Sequence, residues 1–107
     1  MKNPLGNMGN ILKQAQAMQA KMAKVQEEAS TKTVTGTAGG GSVAVTANGA
    51  MQLVGIVIDL EVVKSGDVEM VQDLVLAASN DALKKAREMM ADEMKSVTGG
   101  MNVPGMF

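Results

Sequence analysis

Cysteine, histidine, tryptophan and tyrosine are all missing from this sequence of 107 residues, and Phe107 is its single aromatic residue. Without cysteine, the chain can form neither a disulfide nor a thiolate metal site. Without histidine, it lacks the usual general base near neutral pH and the commonest metal ligand. We therefore expect a protein that is not an enzyme, with no catalytic, cofactor-binding or metal-binding residues and no small-molecule substrate.

Long apolar runs are missing as well. No run approaches the ~18 residues that a membrane span needs, and the N-terminus lacks the apolar core of a secretory signal. These absences predict a cytoplasmic protein without a membrane partner. The lack of aromatic residues also removes the platform on which single-stranded bases stack. A nucleic-acid partner is therefore expected to be a duplex, contacted through its phosphates and groove shape.

Charge is scarce in total but unevenly distributed. The formal net charge is −1. Residues 1–32 contain five lysines and two glutamates, which gives +3, whereas residues 59–81 contain six acids and one lysine, which gives −5. Residues 84–95 contain four bases and three acids. The chain is therefore polarised, and its N-terminal segment is the basic part.

Two patterns share the N-terminal segment. Apolar residues recur there at alternating spacings of three and four, which predicts a helix that packs along one stripe: Met8, Ile11, Ala15, Met18, Met22, Val25 and Ala29. Beside this stripe, Lys13, Lys21 and Lys24 form a row that could contact the phosphates of a DNA backbone. A merely solvated helix face is the alternative explanation. The absence of acids before Glu27 favours the phosphate-binding interpretation.

After Ser30, β-branched residues and turn signals predict a three-stranded antiparallel sheet made of two hairpins. The expected strands are 31–37, 42–47 and 53–60, with a glycine loop at 39–41. Asn48-Gly49 is typical of a type I′ turn, which needs a positive φ at both positions. The third strand is apolar on both faces, so we expect a second layer to cover the sheet.

A long helix is predicted over residues 68–97, after an acidic connector whose Ser65 or Asp67 would be the N-cap. Poor helix formers at Asn80-Asp81 leave open a bend or break. The helix has two apolar stripes: one with Val71, Val75, Ala78, Ala82, Ala86 and Met89, the other with Leu76, Leu83, Met90 and Val97. Two stripes need two packing partners, the sheet and either the first helix or a second copy.

The basic residues of this second helix are weaker candidates for DNA contacts. Lys84, Lys85 and Arg87 lie among acids. Asp81 with Lys85, and Lys84 with Glu88, have the i,i+4 spacing of helix ion pairs. Much of this basicity is therefore expected to be neutralised locally.

The segments LGNMGNILKQAQAMQAKMAKVQEE, VTGTAGGGSVAVTANGAMQLVGIVID, MVQDLVLAASNDALKKAREMMADEM and TGGMNVPGMF together resemble the YbaB/EbfC family of bacterial nucleoid-associated proteins. The resemblance covers nearly the whole chain and implies a small α+β homodimer that binds duplex DNA with little sequence specificity. It places DNA contacts at Lys13, Lys21 and Lys24, with Lys84, Lys85 and Arg87 as weaker contributors. The connector after Asp59 departs from the proline-rich and acid-rich family pattern, which affects the expected length of the following helix.

Taken together, these patterns predict one α+β domain over residues 1–107, with mobile ends at 1–7 and 98–107. The expected architecture is an N-terminal helix, a three-stranded antiparallel sheet and a long C-terminal helix, assembled as a homodimer. The expected function is low-specificity duplex DNA binding at the nucleoid, in the cytoplasm, with an effect on nucleoid organisation and gene expression. Eleven methionines leave a second hypothesis, a protein-interaction or assembly factor that uses Met-rich helical surfaces.

Overall fold

The computed structural model describes residues 4–97, and it describes side chains from residue 8 onward. The elements follow one another as α1 (Pro4–Ser30), β1 (Thr33–Ala38), β2 (Val43–Asn48), β3 (Leu53–Ile58), α2 (Leu60–Lys64) and α3 (Val68–Val97). This order confirms the predicted α+β fold, with a helix, a three-stranded antiparallel sheet and a long second helix. The predicted mobile tail at 98–107 lies outside the described residues.

Helix α1 begins earlier than its glycines suggest. Gly6 and Gly9 disfavour an early start, yet the helix runs from Pro4 for 27 residues and includes part of the segment 1–7 that is predicted to be a mobile end. Residues 1–3 of that segment lie outside the described residues. Proline suits the first turn because its missing N–H has no intrahelical partner there. Each glycine costs about 1 kcal/mol relative to alanine. That cost is small beside the favourable propensity of the Ala, Gln, Lys and Met residues that follow.

The sheet has the order β1-β2-β3 with antiparallel neighbours. Gly36 pairs with Val45 and Val45 pairs with Ile56, and directly paired residues point to the same face of a sheet. This face carries α3, which packs over β1 and β2. The core is made of small residues from β2 and α3: Val43, Val45, Ala47, Ala78, Ala82 and Ala86, all with no exposed surface.

Close contact between α3 and β1 depends on Gly36. A Cβ atom at this position would lie 2.2 Å from the Ala82 backbone nitrogen and 2.5 Å from the Ala78 carbonyl oxygen. The alanine stripe of α3 therefore lies directly on the backbone of β1, as the first predicted stripe requires. The helix is uninterrupted from Val68 to Val97, so the break considered at Asn80-Asp81 does not occur.

The β2–β3 connection is a hairpin, but its predicted turn type is wrong. Gly49 does not have the positive φ that a type I′ turn needs; Met51 has it instead, with a φ of 62°. The loop is closed by the Asn48 N–H, which donates to the Gln52 carbonyl at 2.9 Å, while Asn48 Oδ1 accepts from Ala50 N–H at 3.0 Å. Gly49 is needed for space, since a Cβ there would lie 2.2 Å from the Ala29 carbonyl oxygen.

The second covering layer predicted for the sheet is absent within residues 4–97. Helix α3 covers one face of β1 and β2 and leaves most of β3 exposed. Val57 is 70% exposed, Val54 54% and Ile56 50%. The strand is apolar on both faces, as its sequence predicts, but no element within residues 4–97 buries it. The strand is instead an uncovered apolar edge.

The acidic connector contains one unpredicted helix, α2. Asp59 is its N-cap residue, and Asp67 caps α3 by accepting a hydrogen bond from the Met70 N–H at 3.0 Å. The choice of Asp67 as N-cap is thereby confirmed. Ser65 Oγ accepts from the Asp67 N–H at 3.2 Å, so this residue supports the cap instead of forming it.

Helices α1 and α3 pack against each other in antiparallel directions. Lys32, just after α1, forms an ion pair with Glu93 of α3. Further along, Val97 lies beside Ala17 and Met18 in the groove between the helices. The second stripe of α3 is thus covered by α1 only near its C-terminal end, and Leu76 at its other end is 62% exposed.

Candidate nucleic-acid interface

The lysine row of α1 is exposed and forms no ion pair within the described residues. Lys13, Lys21 and Lys24 are exposed, and none of them forms an ion pair with a residue of the described chain. No carboxylate occurs between residues 4 and 26. The two outer lysines are separated by about 16 Å of helical rise, a length over which duplex DNA presents about ten phosphate charges.

Helix α1 presents this row on an elongated molecule measuring 80 × 24 × 18 Å. Met18, Met22 and Val25 of its apolar stripe are half-buried, whereas Lys13 and Lys24 lie on the side of the helix away from them, at about 100° per residue. Lys21 lies nearer the packed side and lines the groove with Val97. The row is therefore accessible to a large ligand, and the helix that bears it packs against α3 through its C-terminal half.

Lys85 on α3 has other partners. Its Nζ is 3.1 Å from Asp81 Oδ2 and donates a hydrogen bond to the Thr35 carbonyl oxygen at 3.2 Å. The predicted Asp81–Lys85 pair is thus confirmed, and it contacts the outer edge of β1. Because the Lys85 ammonium also contacts the Thr35 carbonyl, it is less available to a phosphate than the predicted ion pair alone suggests.

Asp81 completes this contact by accepting a hydrogen bond from the Thr37 N–H at 3.0 Å. That hydrogen bond, followed by the one from Lys85, holds the pKa of the Asp81 carboxyl below its ordinary value. The backbone groups of an edge strand are a ready template for pairing with another chain. Asp81 and Lys85 occupy one donor and one acceptor on the outer edge of β1.

Lys84 and Arg87 are exposed, and the expected ion pair between Lys84 and Glu88 does not form in the described part of the chain. At 100° per residue they lie about 200° and 140° from buried Ala82, so they are on the outward side of α3. Val97 lies beside Lys21 of the row. Arg87 is about 15 Å of helical rise away from Val97 along α3. Lys84 and Arg87 therefore lie away from the part of α3 that meets the α1 row.

One contact that anchors the row could not be found from the sequence. Lys32 and Glu93 are 61 positions apart, and no periodicity connects them. Their ion pair joins the C-terminal end of α1 to α3 and thereby fixes the position of the lysine-bearing helix at that end. A second short-range pair on α3, Lys95 Nζ with Asp92 Oδ1 at 3.8 Å, is exposed.

Residues 4–97 offer neither a metal site nor a membrane span. No group of three or more His, Cys, Asp or Glu side chains there could hold a metal ion. None of the helices formed by these residues combines the length and hydropathy needed to cross a membrane. The exposed basic helix is therefore the strongest candidate site that this part of the chain offers.

A lysine-bearing helix that extends from a helix-covered three-stranded sheet defines a small α+β binding protein. The profile of the YbaB/EbfC DNA-binding family matches residues 4–101, and the chain belongs to this family. Its membership confirms the resemblance noted in the sequence. It also confirms that this is a protein of a DNA-binding family and not an enzyme.

Individual relatives agree with this assignment. The chain is 55% identical over 101 residues to a nucleoid-associated protein of Caldanaerobacter subterraneus subsp. tengcongensis, covering 94% of this chain and 91% of the relative. It is 56% identical over 103 residues to a nucleoid-associated protein of Exiguobacterium sibiricum, covering 96% and 97%. The crystal structure of an uncharacterized Helicobacter pylori protein superimposes with a TM-score of 0.70 at 26% identity, over 92% of this chain and 100% of the other.

Proposed function

We propose that this protein is a cytoplasmic, nucleoid-associated protein that binds duplex DNA as a homodimer, with low sequence specificity, and thereby influences nucleoid organisation and gene expression. The observation that carries the proposal is the exposed row of Lys13, Lys21 and Lys24 on an acid-free stretch of α1. Family membership and the names of the relatives support it.

Low specificity follows from the type of side chain available. A lysine ammonium is a point charge that neutralises a phosphate without reading a base edge. Three such contacts per chain, doubled in a dimer, predict that log K falls with log salt with a slope of about −5. Binding should therefore be modest at physiological salt and strong only at low salt.

The homodimer is proposed because the two edge strands of the sheet, β1 and β3, differ in whether their outer backbone groups are already engaged. Asp81 and Lys85 occupy backbone groups on the outer edge of β1, whereas no described residue pairs with the outer edge of β3. Exposed apolar residues of α2 and α3 accompany β3: Leu60, Val63, Val68 and Leu76. DNA cannot cover such a surface, but a second copy can, with the same patch on both sides of a two-fold axis.

The decisive experiment compares duplex binding by two variants of equal net charge. Replacing Lys13, Lys21 and Lys24 with Gln removes three positive charges from α1. Its control is Ala50→Glu/Gln52→Glu/Ala77→Glu, which lowers the charge by the same amount at exposed positions outside α1. We expect the lysine variant to lose the low-salt gel shift and the control to keep most of it, with both remaining dimeric. Equal losses would mean that net charge, and not the α1 row, determines binding.

The protein-interaction hypothesis keeps one observation in its favour, the exposed Met8, Ile11 and Leu12 near the start of α1. Most of the other methionines of the helices do not support it, since Met18, Met22, Met89 and Met90 are half-buried. A salt titration separates the two functions, because phosphate contacts weaken linearly with log salt and apolar capture of a protein does not.

A further inference from the structure

The outer edge of β1 has backbone groups with which another strand could pair. Strand β1 lies at one end of the sheet. In an edge strand, alternate residues direct both their N–H and their C=O groups away from the neighbouring strand. The contacts of Thr35 and Thr37 with α3 identify these two as outward-directed residues, and the alternation adds Thr33. Such a row of backbone groups is a template for the addition of a further strand.

Strand β1 lacks the features that usually protect an edge. Its sequence TVTGTA contains no charged residue and no proline, and its pairing with β2 is regular from Thr33 to Ala38. Charged side chains, proline and bulges are the common means by which natural edge strands avoid pairing with other chains. Threonine also favours the strand conformation and pairs well with threonine on an adjacent strand. Two copies of β1 could therefore pair edge to edge without charge repulsion.

Two side chains of α3 supply the missing protection. Asp81 Oδ2 accepts a hydrogen bond from the Thr37 N–H at 3.0 Å. Lys85 Nζ donates to the Thr35 carbonyl oxygen at 3.2 Å and lies 3.1 Å from Asp81 Oδ2. In an antiparallel pair, Thr35 and Thr37 would each exchange two hydrogen bonds with a residue of the incoming strand. Each threonine already has one of its two groups engaged, so neither pair can form completely while α3 keeps these contacts.

The position of α3 on the sheet makes both contacts possible at once. Asp81 and Lys85 are one helical turn apart, about 6 Å of rise, and alternate residues of a strand are about 6.8 Å apart. The two spacings nearly match, so consecutive turns of α3 meet consecutive outward residues of β1. Gly36 lets α3 approach closely, since a Cβ there would lie 2.2 Å from the Ala82 backbone nitrogen. The packing that forms the core thus also brings the two side chains to the edge.

We propose that Asp81 and Lys85 act as an edge guard, a side-chain pair that prevents β1 of one chain from pairing with β1 of a second copy. A second copy is the expected partner because its β1 carries the same uncharged threonine edge and can pair antiparallel about a two-fold axis. The edge guard depends neither on DNA binding nor on the β3 interface proposed above. Its loss is therefore expected to create contacts between copies at a surface that the native protein leaves unpaired.

The edge guard is tested by a variant that removes both side chains without changing the net charge. The test variant is Asp81→Ala/Lys85→Ala, and the matched control is Asp92→Ala/Lys95→Ala, which removes an exposed ion pair near the end of the same helix. Light scattering after size-exclusion chromatography measures the mass of both variants and of the unsubstituted protein. We expect the test variant to show about a doubling of mass or more, because each β1 contact joins two assemblies, and the control to keep the native mass. A test variant with the native mass would overturn the proposal.

A further substitution distinguishes edge pairing from the aggregation of unfolded chains. Thr35→Pro, added to the test variant, removes an outward N–H that an incoming strand would need and that the pairing of β1 with β2 does not use. We expect the native mass to return, with the helical circular dichroism signal of the unsubstituted protein retained. Larger species that persist after this substitution do not form through β1 and would refute the edge guard. Thr35→Pro in the otherwise native chain is the control and should leave both the mass and the circular dichroism unchanged.

Discussion

Asp81 and Lys85 join the middle of α3 to the outer edge of β1 through side chains that are only partly buried. Asp81 accepts from the Thr37 N–H and Lys85 donates to the Thr35 carbonyl, while the two side chains pair with each other. The Asp81 carboxylate and the Lys85 ammonium thus each contact the other charge and one backbone group of β1. The contact depends on the charged form of the carboxyl, which gives it a defined pH dependence.

Asp81→Asn is expected to lower the free energy of unfolding at neutral pH. The pKa of the Asp81 carboxyl is lowered in the folded protein, so the unfolded chain takes up the proton at the higher pH. The stabilisation is therefore complete above about pH 4 and is lost as pH falls through the folded-state pKa. Urea unfolding of both proteins should show a difference at pH 7 that shrinks as the pH falls below the ordinary pKa of aspartate. Asp73→Asn, at an exposed position of the same helix, is the control and should leave the free energy of unfolding at pH 7 nearly unchanged.

Gly36→Ala is expected to destabilise the fold by about 1–3 kcal/mol, the usual range for overpacking a core. The added methyl meets backbone atoms of α3 at Ala78 and Ala82, and backbone cannot rotate away as a flexible side chain can. The control is Gly55→Ala, whose Cβ would have its nearest neighbour in Thr46 at 3.9 Å. Denaturant unfolding of the two variants measures the difference. Similar stability of both would show that α3 can shift on the sheet without cost.

Among the elements, the β2–β3 hairpin illustrates what the sequence could and could not determine. Asn48-Gly49 predicted the place of the reversal because both residue types favour turns. It did not predict the turn type, since Gly49 is required by the Ala29 carbonyl and by the Met90 Sδ atom 2.8 Å from its Cβ position. Those neighbours are distant in sequence, so a tertiary contact that no local pattern contains decides the role of the glycine.

For the two helices as well, the sequence predicted the local pattern but not the contacts between elements. The helical spacing of apolar residues predicted α3 from Val68 to Val97 and its buried Ala78, Ala82 and Ala86. The sequence predicted a lysine row on α1 but not its separation from Lys84 and Arg87 of α3, which follows from how the helices pack. Likewise, the pattern of β3 predicted an apolar strand but not which molecule covers it.

The basic residues of α3 are predicted to matter less for DNA binding than those of α1. Lys84→Gln/Arg87→Gln removes two exposed charges from the outward side of α3, and Lys13→Gln/Lys24→Gln removes two from α1. Asp92 and Glu88 share α3 with the first pair, whereas no acid accompanies the second before Glu27. Fluorescence anisotropy with a duplex at low salt should give the larger loss of affinity for the α1 variant. The reverse order would move the proposed site to α3.

For the molecule as a whole, charge on the exposed edge strand is expected to abolish the dimer. Val54→Asp/Val57→Asp places two carboxylates on β3 at positions that are 54% and 70% exposed, so the single chain should fold normally. Light scattering should report a monomer. Because a monomer contributes only three of the six lysines, the salt slope of DNA binding should fall from about −5 to about −3.

The matched control for this experiment is Ala77→Asp/Ala91→Asp, which adds the same charge at exposed positions of α3. It should remain dimeric and keep the steeper salt dependence. A dimer that survives the β3 substitutions would locate the interface elsewhere on the molecule.

The contact of Asp81 and Lys85 with β1 also bears on the stoichiometry of the proposed dimer. A sheet can add chains indefinitely only if each chain offers two free edges, as in fibrils. Here the edge at β1 has a backbone donor and a backbone acceptor engaged by α3, whereas no residue within 4–97 pairs with the outer edge of β3. In the dimer proposed above, pairing through β3 uses the edge that is left open, so the assembly ends at two copies. On this proposal an apolar strand can serve self-association without starting a fibril.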